Sequence, residues 1–145
     1  MKHFLSFLAI ISALSLFSQD RGDNTVIIHT ELNIDEAYRT IGRLFVSKGL
    51  TIDDASRDFG TITASGLYVE SLSDAGWELT VSALLSGDDH ASIELIGFNK
   101  CIQQNENRRT ERVRVAAMGA IGRSWDLFLE MANGFEGATI EFKKR

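Results

Sequence analysis

The sequence predicts an α+β domain of two layers, one antiparallel sheet with two helices packed on one of its faces. Three observations carry that expectation. Two stretches, 33–49 and 110–133, place apolar residues at helical spacing. Three others, 57–71, 77–85 and 91–102, alternate apolar and small or polar side chains with a period of two. The links between these runs are short turns, which suits antiparallel pairing. The expected order is β-α-β-β-β-β-α.

The first nineteen residues stand apart from the domain. "MKHFLSFLAIISALSLFSQ" opens with Lys2 and His3 and then runs apolar from Phe4 to Phe17. A short basic region before an apolar core reads as a secretory signal. The run is short for a bilayer span, which needs about 20 residues. Ser18 is small enough for the last position before a cut, which falls after Ser18 or Gln19. No cysteine stands near it to carry a lipid anchor. Residues 20–145 then form a single domain, with no transmembrane segment in the mature chain.

Within that domain, "NTVIIHT" (24–30) is rich in β-branched residues and reads as a strand. Asn33 follows, with Glu36 three residues on, the spacing of a capping box. Ala37, Ile41, Leu44 and Phe45 fall on one helical face, Asp35 and Glu36 suit the positive end of the dipole, and Gly49 stops the helix. "LTIDD" (50–54) is a short strand leading to a turn over 55–58.

In "RDFGTITASGLYVES" (57–71), Ile62, Ala64, Gly66 and Tyr68 share one face, and Thr61, Thr63, Ser65, Leu67 and Val69 the other. The small residues Ala64 and Gly66 suit close approach of a helix carrying a bulky residue such as Trp125. "WELTVSALL" (77–85) alternates almost without fault. "SGDDH" is a hairpin loop, and "ASIELIGFNKCI" (91–102) returns. From about Thr110 to Asn133 the period becomes helical, through Val113, Ala117, Ile121, Trp125, Phe128 and Ala132, and Gly134 ends it. "ATIEFKK" (138–144) is an edge strand or a loose tail.

The phrase "ELNIDEAYRTIGRLFVSKGLTIDDASRDFGTITASG", with this element order, resembles small exported Bacteroidetes domains of unknown function that carry a TBP-like sheet. The theme of an amphipathic helix followed by Gly49, Leu50, Ile52, Asp53, Gly60 and Ile62 is similar to the BamC lipoprotein domains. The chain departs from BamC in lacking an anchor cysteine and a tandem second domain. The resemblance implies a fold and brings no catalytic residues.

Composition narrows function further. The net charge is −5, and loss of Lys2 with the leader makes the mature chain more acidic, which argues against nucleic-acid binding. A single cysteine, Cys101, allows no internal disulfide and reads as a small buried apolar group. "GRSWD" (122–126) looks like part of a serine nucleophile turn, but it lies in a helical stripe and lacks the closing glycine. "DDH" (88–90), with His29 as the other mature histidine, falls short of a metal motif. Glu78 and Glu94, solvent-facing on neighbouring strands, are the pair a glycosidase would need. Arg108, Arg109, Arg112 and Arg114 crowd the expected start of the second helix, where they offer an anion or acidic-partner contact or a solvated helix entry with local ion pairs. Leu84, Ile96 and Phe98 fall out of phase with the core. They form an exposed partner surface unless Ile140 and Phe142 cover them.

The expected function is that of an exported, non-catalytic accessory or protein-binding domain, acting through its sheet face on a protein partner or a second copy, with no cofactor or metal. The alternative is a small carrier that holds an apolar ligand between helix and sheet, lined by Phe45, Tyr68, Trp77 and Trp125. A small hydrolase is the third reading.

Overall fold

The β-branched run near the start forms β1 (Thr25–His29). The computed structural model to which it belongs describes residues 22–69, 76–102, 110–115 and 119–145. The leader, Arg108 and Arg109 lie outside the described residues, as does the side chain of Cys101, whose backbone stands opposite Trp77.

The first helix, α1 (Ile34–Ser47), has the ends its sequence dictates. The Asn33 side chain accepts a hydrogen bond from the Glu36 amide at 3.0 Å. Gly49, at φ +81°, closes the other end: its amide donates to the Val46 carbonyl, and the Leu50 amide to that of Phe45. This is a Schellman closure, in which glycine alone takes the left-handed position without strain.

Four strands follow: β2 (Thr51–Ser56), β3 (Thr61–Val69), β4 (Gly76–Ser86) and β5 (Ser92–Ile102). β2 runs further than expected, so the turn falls at 57–60. After β5 come a short β6 (Thr110–Arg112), then α2 (Gly119–Ala132) and β7 (Thr139–Lys143). The described sheet has the order β2-β3-β4-β5-β1-β7, with β6 also paired to β5, and every pairing is antiparallel.

Both helices cover one face of this sheet. Val26, Ile28, Ile62, Ala64, Leu79, Val81, Ile93 and Leu95 point into the core with Ile41 and Phe45 of α1 and Trp125, Phe128 and Met131 of α2. The face assignment for β3 holds at Ile62 and Ala64, both buried.

Three expectations need correction. The second helix does not start near Thr110, because residues 110–112 pair with β5 and the Val113 amide donates to the Gly97 carbonyl at 2.8 Å. The run R-V-R-V (112–115) alternates charged and β-branched residues, which suits extended backbone. Nor does Trp125 lie over Gly66. It packs 5.9 Å from the Phe142 ring and 6.1 Å from Phe128, above β1 and β7 at the other side of the sheet. The close helix approach occurs instead at Gly97, where a Cβ would lie 2.6 Å from Phe128 Cζ and 3.0 Å from the Thr80 carbonyl oxygen. Finally, the described residues hold seven strands where the expected order has five, the additions being β6 and "ATIEFKK", which takes its edge-strand alternative against β1.

Candidate functional site

Strand periodicity decides what the second sheet face carries. Register places Leu84 opposite Thr61 and Glu94, Ile96 opposite Ser82, and Phe98 opposite Thr80 and Arg112. Leu84 and Ile96 are therefore diagonal neighbours, and Ile96 and Phe98 are two apart on one strand. Such positions lie about 7 Å apart, so the three side chains make a continuous apolar strip. Leu84 is 50% exposed and Phe98 44%, with Ile96 half-buried. Leu67, 63% exposed, adds an apolar group on β3.

A lawn of short hydroxyl side chains surrounds the strip. Thr61, Thr63 and Ser65 on β3 stand beside Thr80 and Ser82 on β4, and the Thr63 and Ser82 hydroxyls are 3.2 Å apart. Charges sit at its margins: Lys100 near Glu78 at 3.7 Å, and Arg145 against Glu94 at 3.0 Å. On β1 and β7, His29 and then Lys143 hold the Glu141 carboxyl below the usual carboxylate range.

The C-terminal strand leaves this surface open. Ile140 pairs with Ile28 and Phe142 with Val26, which puts both on the helix side of the sheet. They complete the core and do not reach the strip.

The other candidates are dispersed. Arg112 stands on β6 beside Phe98, and its Nη2 donates to the Thr25 hydroxyl at 3.3 Å. Arg114 is exposed in the segment that follows. Neither lies at a helix start. Ser124 is buried, and its hydroxyl donates to Asn99 Oδ1 at 2.9 Å. Glu78 lies opposite Lys100, six residues along β5 from Glu94, a separation of about 20 Å. The two carboxyls are thus too far apart for glycoside chemistry, which needs roughly 5–9.5 Å. His90 Nδ1 lies 3.1 Å from Glu31 on an exposed turn, and among the described residues no group of three metal-ligating side chains gathers.

The described residues of the carrier reading sit in packed surroundings. Phe45 belongs to α1 in the core, Trp125 packs under α2, and Trp77 is covered by the Arg123 guanidinium 4.6 Å from its ring. The side chain of Tyr68 lies outside the described residues. What sequence reasoning missed is a groove on the outer side of α1, walled by Gly42, Val46, Ile52 and Ile62. Val46, off the main apolar stripe of α1, was the available signal.

Fold and surface together define a two-layer α+β domain with one sheet face covered by helices and the other left open by the described residues. A DUF4468 family protein from Bacteroides ovatus shares the fold: the TM-score is 0.50 at 10% identity, over 86% of this chain and 92% of that one. A TBP-like protein from Parabacteroides distasonis aligns with a TM-score of 0.47 at 11% identity, over 85% and 99%. The first of these bears out the resemblance in fold to Bacteroidetes domains of unknown function. No family model and no curated protein matches the sequence. Among the described residues no helix is long and apolar enough to cross a membrane.

Proposed function

We propose that the chain is an exported, non-catalytic domain that docks a protein partner on its open sheet face. One observation carries the reading: Leu84, Ile96 and Phe98 form a continuous apolar strip that the C-terminal strand leaves uncovered. Contiguous exposed apolar surface on a small domain marks an interaction site, and the hydroxyl lawn around it suits a polar rim. Export rests on the leader pattern at 1–19. A non-catalytic role is supported by the engagement of the candidate catalytic groups. Ser124 braces the core, and Glu78 and Glu94 pair with separate cations.

Native mass spectrometry of the protein purified from its host tests the whole reading. The expected spectrum shows a chain beginning at Gln19 or Asp20, carrying a protein adduct or present as a dimer. The double variant Leu84→Asp/Phe98→Asp keeps the mature mass and loses the adduct. A bare monomer that retains Met1 contradicts the proposal.

A further inference from the structure

The groove between α1 and β2 is a second built surface, on the helix side of the sheet. Ile52, Ala55 and Ile62 make its floor, and Val46, 60% exposed, makes its wall on α1. Its volume is about 770 Å³, inside the range of small-molecule sites.

Two features of the sequence shape it. The first is a bulge in β2. Thr51 pairs with Ser65 and Ile52 with Ala64, after which the register jumps to Asp54 with Thr63 and Ala55 with Ile62. Asp53 is the extra residue. Plain alternation would turn Asp54 toward the groove beside Ile52. The bulge re-aims the strand, so that Ala55 takes the groove side and Asp54 faces away with Thr63. The floor stays apolar for that reason.

The second feature is a pair of arginines. Arg39 and Arg43, one helical turn apart, line the same groove. Among the described residues neither has a carboxylate within 4.0 Å. Arg43 Nε donates to the Arg39 carbonyl at 3.3 Å, which leaves its terminal nitrogens available. The neighbouring Arg57, by contrast, is bound by Asp35. Arg39 acts on Asp35 only at longer range, that carboxyl being held down first by its hydrogen bond to Arg57. Two guanidinium groups with no carboxylate at ion-pair distance among the described residues, on the rim of an apolar trough in an acidic chain, match an anionic head on an apolar body.

We propose that this groove binds a small amphipathic anion, its tail on Val46, Ile52, Ala55 and Ile62 and its carboxylate against Arg39 and Arg43. Asp53 and Asp54, exposed on the edge strand, disfavour an acidic peptide adding along β2, and edge charges of this kind serve to block strand addition. The groove and the open face lie on opposite sides of the sheet, so each reading is tested separately.

Dodecanoate below its micelle concentration is the probe, titrated at low salt into protein expressed from the full-length sequence. Calorimetry gives the affinity and amide shifts locate the site. Saturable binding is expected, with shifts centred on 38–47 and 52–62. Arg39→Gln/Arg43→Gln weakens it about tenfold or more, since each charge-assisted contact is worth at least that factor. Dodecanol binds more weakly than dodecanoate, and Val46→Asp weakens the binding further. All three positions are exposed, and thermal melts confirm that the variants fold. The proposal is overturned if dodecanoate fails to saturate, if its shifts lie elsewhere, or if dodecanol and the double variant leave affinity unchanged. Shifts at β2 with an acidic peptide but none with dodecanoate also overturn it.

Discussion

Ser124 shows how far a residue can be read without its neighbours. In the sequence it sits in "GRSWD", a fragment of a nucleophile turn. In the fold it is buried on α2 and donates to Asn99 Oδ1, across the gap between helix and sheet. Asn99 Nδ2 is itself buried and lacks a partner among the described residues. Ser124→Ala therefore strips the side chain of Asn99 of its one described bond. Leaving a buried polar group unsatisfied costs about 1–3 kcal/mol, and urea melts should show a loss of that size. A change near zero contradicts the bracing role. Local chemistry was legible where it is local: Asn33 caps α1 and Gly49 closes it, as their spacing dictates. The role of Ser124 was hidden because its partner is 25 residues away in the chain.

Strands carry the same lesson at the next scale. The faces of β3 and β4 were readable because alternation and burial have one period. β6 was not. The stretch from Thr110 fits a helical stripe through Val113, while R-V-R-V (112–115) fits a two-residue alternation, and pairing with β5 decides between them. The position of closest helix approach was also misjudged, since Gly66 and Gly97 look alike until Phe128 is placed over one of them. The faces themselves are testable. Ala64 is wholly buried under the helical layer, while Thr63 looks out from the opposite face. Overpacking a filled core position costs about 1–3 kcal/mol, so Ala64→Leu should lower stability by that amount. Thr63→Leu should stay within about 0.5 kcal/mol. Equal losses in denaturant melts would mean that β3 is buried on both sides.

At the scale of the whole molecule, the last strand sets the character of the surface. β7 lies against β1, and Asn24, just before β1, is tied to Arg145: Asn24 Nδ2 donates to the Arg145 carbonyl at 2.8 Å, and the Arg145 amide returns a bond to Asn24 Oδ1 at 3.0 Å. This fixes Ile140 and Phe142 in the core, so that among the described residues the other face is bare. The sequence posed that alternative without resolving it, because a five-residue strand can turn either side inward until its neighbour is known. The central claim is that the bare face is where a partner docks. Photo-crosslinking in the native host tests it most directly, with a benzophenone side chain at position 98 and, as a control, at position 126. Asp126 is exposed on α2, on the helix-covered side of the sheet. A discrete protein adduct from position 98, with none from position 126, is the expected result. No adduct from 98, or the same adducts from both positions, would contradict the account.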